Sequence, residues 1–177
     1  MKRQLISIDQ FNSNSISLWQ NQWLALVSGD FTKNDYNAMT VAWGSIGCMW
    51  NKPFAQIVVR PGRYTYEFLE KYATFTLNVF PEDYKKALQI LGSKSGRDGD
   101  KIAETGLTLA PAQQAAAPVF QEAELVFECK KIYFQDMNPG QFIDPKIDKN
   151  YPQKDYHRIY FGEILALEGV EKYAGIK

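Results

Sequence analysis

The sequence predicts a mainly β single domain, an antiparallel Greek-key barrel with a few helices at its ends. Two patterns predict it. Residues 23–28 and 54–60 are continuous apolar runs of strand length, the first stopped by Gly29-Asp30 and the second rich in β-branched side chains. Phe75, Leu77 and Val79 alternate with Thr74, Thr76 and Asn78, as Leu125, Phe127 and Cys129 alternate with Glu124, Glu128 and Lys130. That period of two belongs to strands buried on one face.

Taken in order, residues 1–17 are polar and rich in Asn and Ser. They read as an N-terminal arm or short edge element outside a core spanning about 18–170 of the single domain 1–177. Residues 37–45 and 52–60 read as two strands joined by a loop rich in small residues. Tyr64, Phe68, Leu69 and Tyr72 share a helical face, with Thr65 as N-cap. Pro81 opens a second helix, with Glu82 and Asp83 in its first turn, Tyr84, Leu88 and Leu91 as its buried face and Gly92 at its end. Asp98 or Asp100 caps a short third helix ending at Gly106. Residues 110–118 form an Ala/Gln/Pro connector, residues 138–152 a loop with three prolines, and residues 158–167 a last long strand.

Composition narrows the function. A chain of 177 residues with 45% apolar and 14% aromatic side chains builds one sizeable core. Twenty basic and twenty acidic groups cancel, which disfavours nucleic acid and anionic membranes as partners. The apolar residues near Met1 are too few for a signal-peptide core and no stretch suits a membrane helix, so the cytoplasm is the expected location. Cys48 and Cys129 read as reduced, buried thiols. With one histidine and two scattered cysteines, no metal site is expected.

The chemistry concentrates in a few places. Thr40, Ala42, Gly44 and Ser45 leave the backbone uncovered, so a flat ligand can approach its amides. Arg60, Arg63 and Thr65 add charge and hydroxyl donors beyond the second strand. Ser93, Lys94, Ser95 and the amide of Gly96 make a second donor cluster, without the order of a P-loop. Together they suit a ligand with an aromatic ring at one end and a phosphate at the other. Blander readings stand beside each: a surface ion pair from an arginine to Glu67 or Glu70, a solvated helix-to-loop junction at 93–96, and core packing for Met39 and Trp43. For His157 the alternatives are an acid/base group and a strand histidine bonded to a carbonyl. Glu163 reads as the partner of an arginine across the barrel or an intersubunit seam.

Residues 23–80 resemble the flavin reductase-like, FMN-binding split-barrel family, near its flavoredoxin branch. Gly92-Ser93-Lys94-Ser95-Gly96-Arg97-Asp98, the strand from Glu124 to Cys129, and His157-Arg158-Ile159-Tyr160-Phe161-Gly162-Glu163-Ile164 continue the resemblance in the family's order. Tyr156 stands where the family often has Asp. The resemblance implies a split barrel and bound FMN held by Met39, Thr40, Val41, Ala42, Trp43, Ser45, Arg60, Arg63, Thr65, Ser93, Lys94, Ser95 and Gly96, with His157 near the ring. It implies a homodimer with the flavin at the interface, and the N-terminal arm and the 139–152 loop are the segments expected to reach across. The expected activity is hydride transfer from NADH or NADPH to flavin, then electron transfer to a small-molecule or protein acceptor. No Gly-x-Gly-x-x-Gly segment provides a nucleotide-binding domain of its own. The alternatives are a flavoredoxin-like carrier without nicotinamide activity and an interaction domain without cofactor.

Overall fold

The computed structural model describes residues 2–175; Met1, Ile176 and Lys177 of the expected domain lie outside them. Ten strands form among the described residues: β1 (Gln4–Leu5), β2 (Leu24–Asp30), β3 (Asp35–Val41), β4 (Gly44–Met49), β5 (Lys52–Val59), β6 (Thr74–Val79), β7 (Leu109–Ala110), β8 (Val119–Phe120), β9 (Leu125–Asp136) and β10 (Arg158–Gly169). The helices among the described residues are α1 (Ser15–Ser17), α2 (Tyr64–Lys71), α3 (Lys85–Ser93) and α4 (Lys101–Thr105), with short stretches of tighter or wider helix elsewhere in the chain. One antiparallel sheet runs β3–β2–β6–β9–β10–β5–β4, with β1 added on β10, and β7 pairs with β8 apart from it.

Strand alternation sorts the side chains into an inside and an outside. Leu24 and Leu26, Met39 and Val41, Ile57 and Val59, Leu77 and Val79, Leu125 and Phe127, and Tyr160 and Ile164 belong to one buried cluster. Side chains from strands along the whole sheet meet there, so the sheet curls around them as a barrel. The intervening Ala25, Val27, Ala38 and Val126 pack outward against Leu88 and Leu91 of α3 and against Leu107, Val119 and Phe120.

Several expectations change. Thr76 and Asn78 are buried as completely as their apolar neighbours, because the 107–123 segment covers the outer face of β6. Thr76 Oγ1 donates to the Pro118 carbonyl at 2.6 Å, Asn78 Nδ2 to the Ala25 carbonyl at 3.2 Å, and the Phe120 amide to Asn78 Oδ1 at 2.9 Å. Glu128, also buried, accepts the amides of Gln113, Gln114 and Ala115 at 2.9, 2.6 and 2.9 Å and so pins the connector. The expected loop after Ser45 is a strand, β4, turned back onto β5 by Trp50 and Asn51, both at positive φ as a two-residue hairpin requires.

The helix ends also differ. Arg63, not Thr65, is the N-cap of α2. A tight turn (Glu82–Tyr84) precedes α3, which runs past Gly92 to Ser93. Asp100 caps α4 through the amides of Ile102 and Ala103, and Gly106 ends it in the left-handed region. Cys129 is buried, and burial with Glu128 beside it pushes its thiol pKa up; Cys48 is exposed. Glu163 pairs with Lys52 at 2.6 Å rather than with an arginine.

The arm is woven into its own chain. Ile6 and Tyr173 join the central core, extending it beyond 18–170. Arg3 Nη1 donates to the carbonyls of Phe120 and Ala123 at 2.9 and 2.7 Å, and Phe11 meets Phe127 edge to face. No helix among the described residues is long and apolar enough to cross a membrane.

Candidate functional site

β3 and β4 lie at opposite ends of the sheet order, yet only Ala42 and Trp43 separate them in the chain. The barrel is therefore split between its two edge strands. β3 pairs with β2 alone and β4 with β5 alone, so each leaves one edge of peptide groups unpaired. The amides of Ala42 and Trp43 also have no partner among the described residues. At this split a recess of about 180 Å³ opens, lined by Met39, Thr40, Val41, Ala42 and Trp43, with Val58, Arg60, Arg63 and His157.

The two arginines differ. Arg60 follows β5 and is engaged: Nη1 donates to both Asp155 oxygens at 2.9 and 3.0 Å, and Nη2 to the Asn150 carbonyl at 2.8 Å. It clamps the 138–157 loop, with its guanidinium over the Tyr151 ring. Neither Glu67 nor Glu70 is its partner; these pair with Arg97 and Arg158. Arg63 has no carboxylate within ion-pair distance among the described residues, and its guanidinium donates only to the Gly92 carbonyl, at 3.2 Å. Its backbone caps α2 without a side-chain acceptor for the first-turn amides, which leaves a helix N-terminus with donors free.

Lys101 is a second cation without a counter-charge, and sequence reasoning missed it. A lysine in the first turn of a short helix signals solvent, yet this one is 4% exposed. Its Nζ donates to the carbonyls of Leu91 and Lys94, at 2.9 and 3.0 Å, at the end of α3. Burial and the nearby Arg63 charge push its pKa down to about 8.

His157 stands just before β10 and is 9% exposed. Its Nδ1 lies 2.8 Å from the Tyr151 hydroxyl. That hydroxyl also reaches the Met137 sulfur at 3.3 Å, a weak acceptor; the imidazole nitrogen is the stronger one. On this assignment Tyr151 donates to Nδ1, and the ring proton sits on Nε2. Tyr151, buried at 2% exposure, thus orients His157, while Tyr156 bonds Asp148 at 2.8 Å. No local spacing marked Tyr151 in the sequence. Burial first, then the Arg60 charge, lowers the His157 pKa to about 4, so the ring is neutral at pH 7. Its ring centroid lies 5.3 Å from that of Trp43.

The remaining expected residues lie around this recess rather than in it. Ser45 bonds Gln56 at 2.9 Å and faces an adjoining hollow. Thr65 is buried behind the recess and accepts from Asn37 at 2.7 Å. Ser93 Oγ donates back to the Gln89 carbonyl, Lys94 pairs with Glu104, and Ser95 Oγ accepts the Arg97 amide. Gly96 sits so close to Asn37 and Tyr64 that a Cβ would fall 2.3 Å from Asn37 Oδ1. The amides of Ser95 and Gly96 have no partner among the described residues. Arg63 and the α2 N-terminus therefore stand at one side of the split, with Gly96 and Lys101 beyond them around a neighbouring hollow shared with Asn37 and Tyr64, and unpaired edge peptides, Trp43 and His157 stand at the other side. That donor set fits an anionic tail joined to a flat, hydrogen-bonding ring.

The family model described as "Flavin reductase like domain" matches residues 21–175. An uncharacterized protein of Pyrococcus abyssi is 25% identical over 136 residues, covering 75% of this chain; the chain spans 66% of that protein's length. Flavoredoxin of Desulfovibrio vulgaris (Miyazaki F) superposes with a TM-score of 0.66 at 22% identity over 91% of this chain and 75% of its own. An FMN-binding domain of a flavin reductases-like enzyme from Shewanella baltica gives 0.66 at 18% identity over 95% and 77%. With the split barrel, the edge-strand recess and a family match across nearly its whole length, this chain belongs to the flavin reductase-like domain family.

Proposed function

We propose that the chain binds FMN at the split and acts as an oxidoreductase that takes hydride from NADH or NADPH and passes electrons to an acceptor. The observation that carries this is the pair of cations without counter-charges, Arg63 and Lys101, beside unpaired edge-strand peptides. Lys101 is buried with two carbonyls but no counter-charge, Arg63 stands exposed near it, and an anion bound between them would offset the cost of that buried charge. Arg63, the α2 N-terminus and the amides of Ser95 and Gly96 hold the phosphate. The free peptide groups from Thr40 to Trp43 hydrogen-bond the ring edge, and Met39, Val41 and Val58 exclude water beneath it. FMN supplies the hydride-accepting ring when bound. His157, neutral with its proton on Nε2, presents a donor to whatever occupies the recess, and Tyr151 keeps it in that tautomer.

The recess is below the roughly 300 Å³ of ordinary small-molecule pockets, and Trp43 beside it is 49% exposed. A second copy of the chain, as in the homodimer expected from the sequence, would cover this open side. Residues 3–11 of the arm are held by their own barrel, so the contribution across such an interface would come from the exposed Ile16 end of the arm, the 139–152 loop and the strand ends around Trp43.

A flavoredoxin-like carrier is the second reading, favoured by the absence of a nucleotide-binding segment in the sequence. Visible absorption of protein reconstituted with FMN, followed by anaerobic titration with each nicotinamide, tests both. Bleaching by NADH or NADPH supports the reductase. Bound flavin that only a chemical or protein donor reduces supports the carrier. Colourless protein after FMN addition and desalting contradicts both. His157→Ala should slow flavin reduction more than it weakens FMN binding; equal reduction rates would return His157 to a packing role.

A further inference from the structure

Beyond Trp43 lies a second, larger hollow of about 640 Å³, within the size range of small-molecule sites. Ile16, Trp19, Trp23, Trp43 and Ile46 form its apolar walls, and none of its lining residues is charged. The cationic recess next to it shares only the Ala42–Trp43 wall. The segment behind the hollow is irregular in ways a core alone does not require. Leu18–Gln22 is a π-helical turn, a form that concentrates at functional sites. Trp23, which ends it, sits at φ 61 and ψ 161, a region nearly reserved for glycine. The Trp19 indole N–H is buried without an acceptor. Gly44 is the residue that admits that indole, since a Cβ there would lie 2.5 Å from its ring.

We propose that this hollow is a ligand site for a planar, uncharged aromatic molecule of about naphthoquinone size. Three indoles offer faces and edges for stacking, one face of Trp23 being held by Lys85 Nζ at 3.7 Å, and the Ser15 and Gln20 side chains offer polar contacts for orientation. A charged ligand would lose hydration there without gaining a counter-ion. The site stands on its own walls, whether or not the neighbouring recess holds flavin.

Menadione is the probe, with a naphthoquinone sulfonate as the charged contrast. Both are titrated by calorimetry into the protein as purified, with its flavin content recorded by absorption and its oligomeric state by light scattering. Ile16 is 72% exposed, so Ile16→Asp leaves folding intact while placing a charge in the hollow. One menadione per chain is expected, with about tenfold weaker binding for the sulfonate and for Ile16→Asp, and flavin content unchanged. Equal affinity in Ile16→Asp, displacement of menadione by FMN, or no binding at all overturns the proposal. A dimer that Ile16→Asp dissociates gives the hollow to a second copy and overturns it too. Colourless protein that still binds menadione would refute the flavin reading and leave this site standing.

Discussion

The centre of the sheet and its split edge treat polar groups in opposite ways. Around β6 and β9, Thr76, Asn78 and Glu128 are buried, and each has partners within the chain. At the split, edge peptides, the amides of Ser95 and Gly96, Arg63 and Lys101 lack acceptors or counter-charges among the described residues. Satisfied polar groups fix one structure; unsatisfied ones at a concave edge are what a ligand completes. The difference separates residues that hold the barrel from residues that serve its site, and it can be broken or sharpened by mutation.

The largest effect belongs to the centre. Glu128→Ala strands three amides that now share one carboxylate, and should cost about 4 kcal/mol in urea unfolding. A loss under about 1 kcal/mol would mean that the connector finds other acceptors.

Acid should act next, through His157. Its folded pKa, about 4, lies below its ordinary 6.5, so the unfolded chain takes up the proton first. This contribution to stability is complete above pH 6.5 and falls as pH drops towards about 4, by roughly 3 kcal/mol. His157→Gln should flatten that window; an unchanged profile would show that other groups set it.

Arg63→Ala comes third. FMN affinity should fall about 30-fold, the worth of one charge-assisted contact, while the empty protein keeps its stability or gains slightly because Lys101 loses a like charge. Arg60→Ala should do the reverse, loosening the 138–157 loop through Asp155 and Asn150. Fluorescence titration and thermal melting of both variants separate the two roles. The smallest effect is expected at Ile143, 99% exposed, where Ile143→Ser should change stability by less than about 0.5 kcal/mol.

The strongest strands were legible because burial on one or both faces leaves its period in the sequence. β2, β5, β6 and β10 follow their apolar runs closely, while β9 starts on its expected run and continues unread from Lys131 to Asp136. β4 was not legible: Gly44, Ser45, Gly47 and Cys48 carry little strand preference, and the hairpin with β5 holds it. The buried Thr76, Asn78 and Glu128 looked like solvent-facing positions, since alternation cannot show that a distant connector covers the second face. At the site, the sequence marked Met39–Trp43, Arg60, Arg63 and His157, and these meet in one recess. It could not rank the arginines, because Asp155 reaches Arg60 from 95 residues away. Lys101 and Tyr151 went unseen for another reason: their partners are near in sequence, Leu91 and Lys94 for one and His157 for the other, but nothing in the local pattern marks either side chain as buried.

The most direct measurement compares FMN with riboflavin on the flavin-free chain by fluorescence quenching. The two ligands differ only in the phosphate. If uncompensated cations and free amides at the split hold that group, FMN binds at least about tenfold more tightly, and added salt narrows the gap. Equal affinities for the two flavins, or binding of neither, would contradict the account.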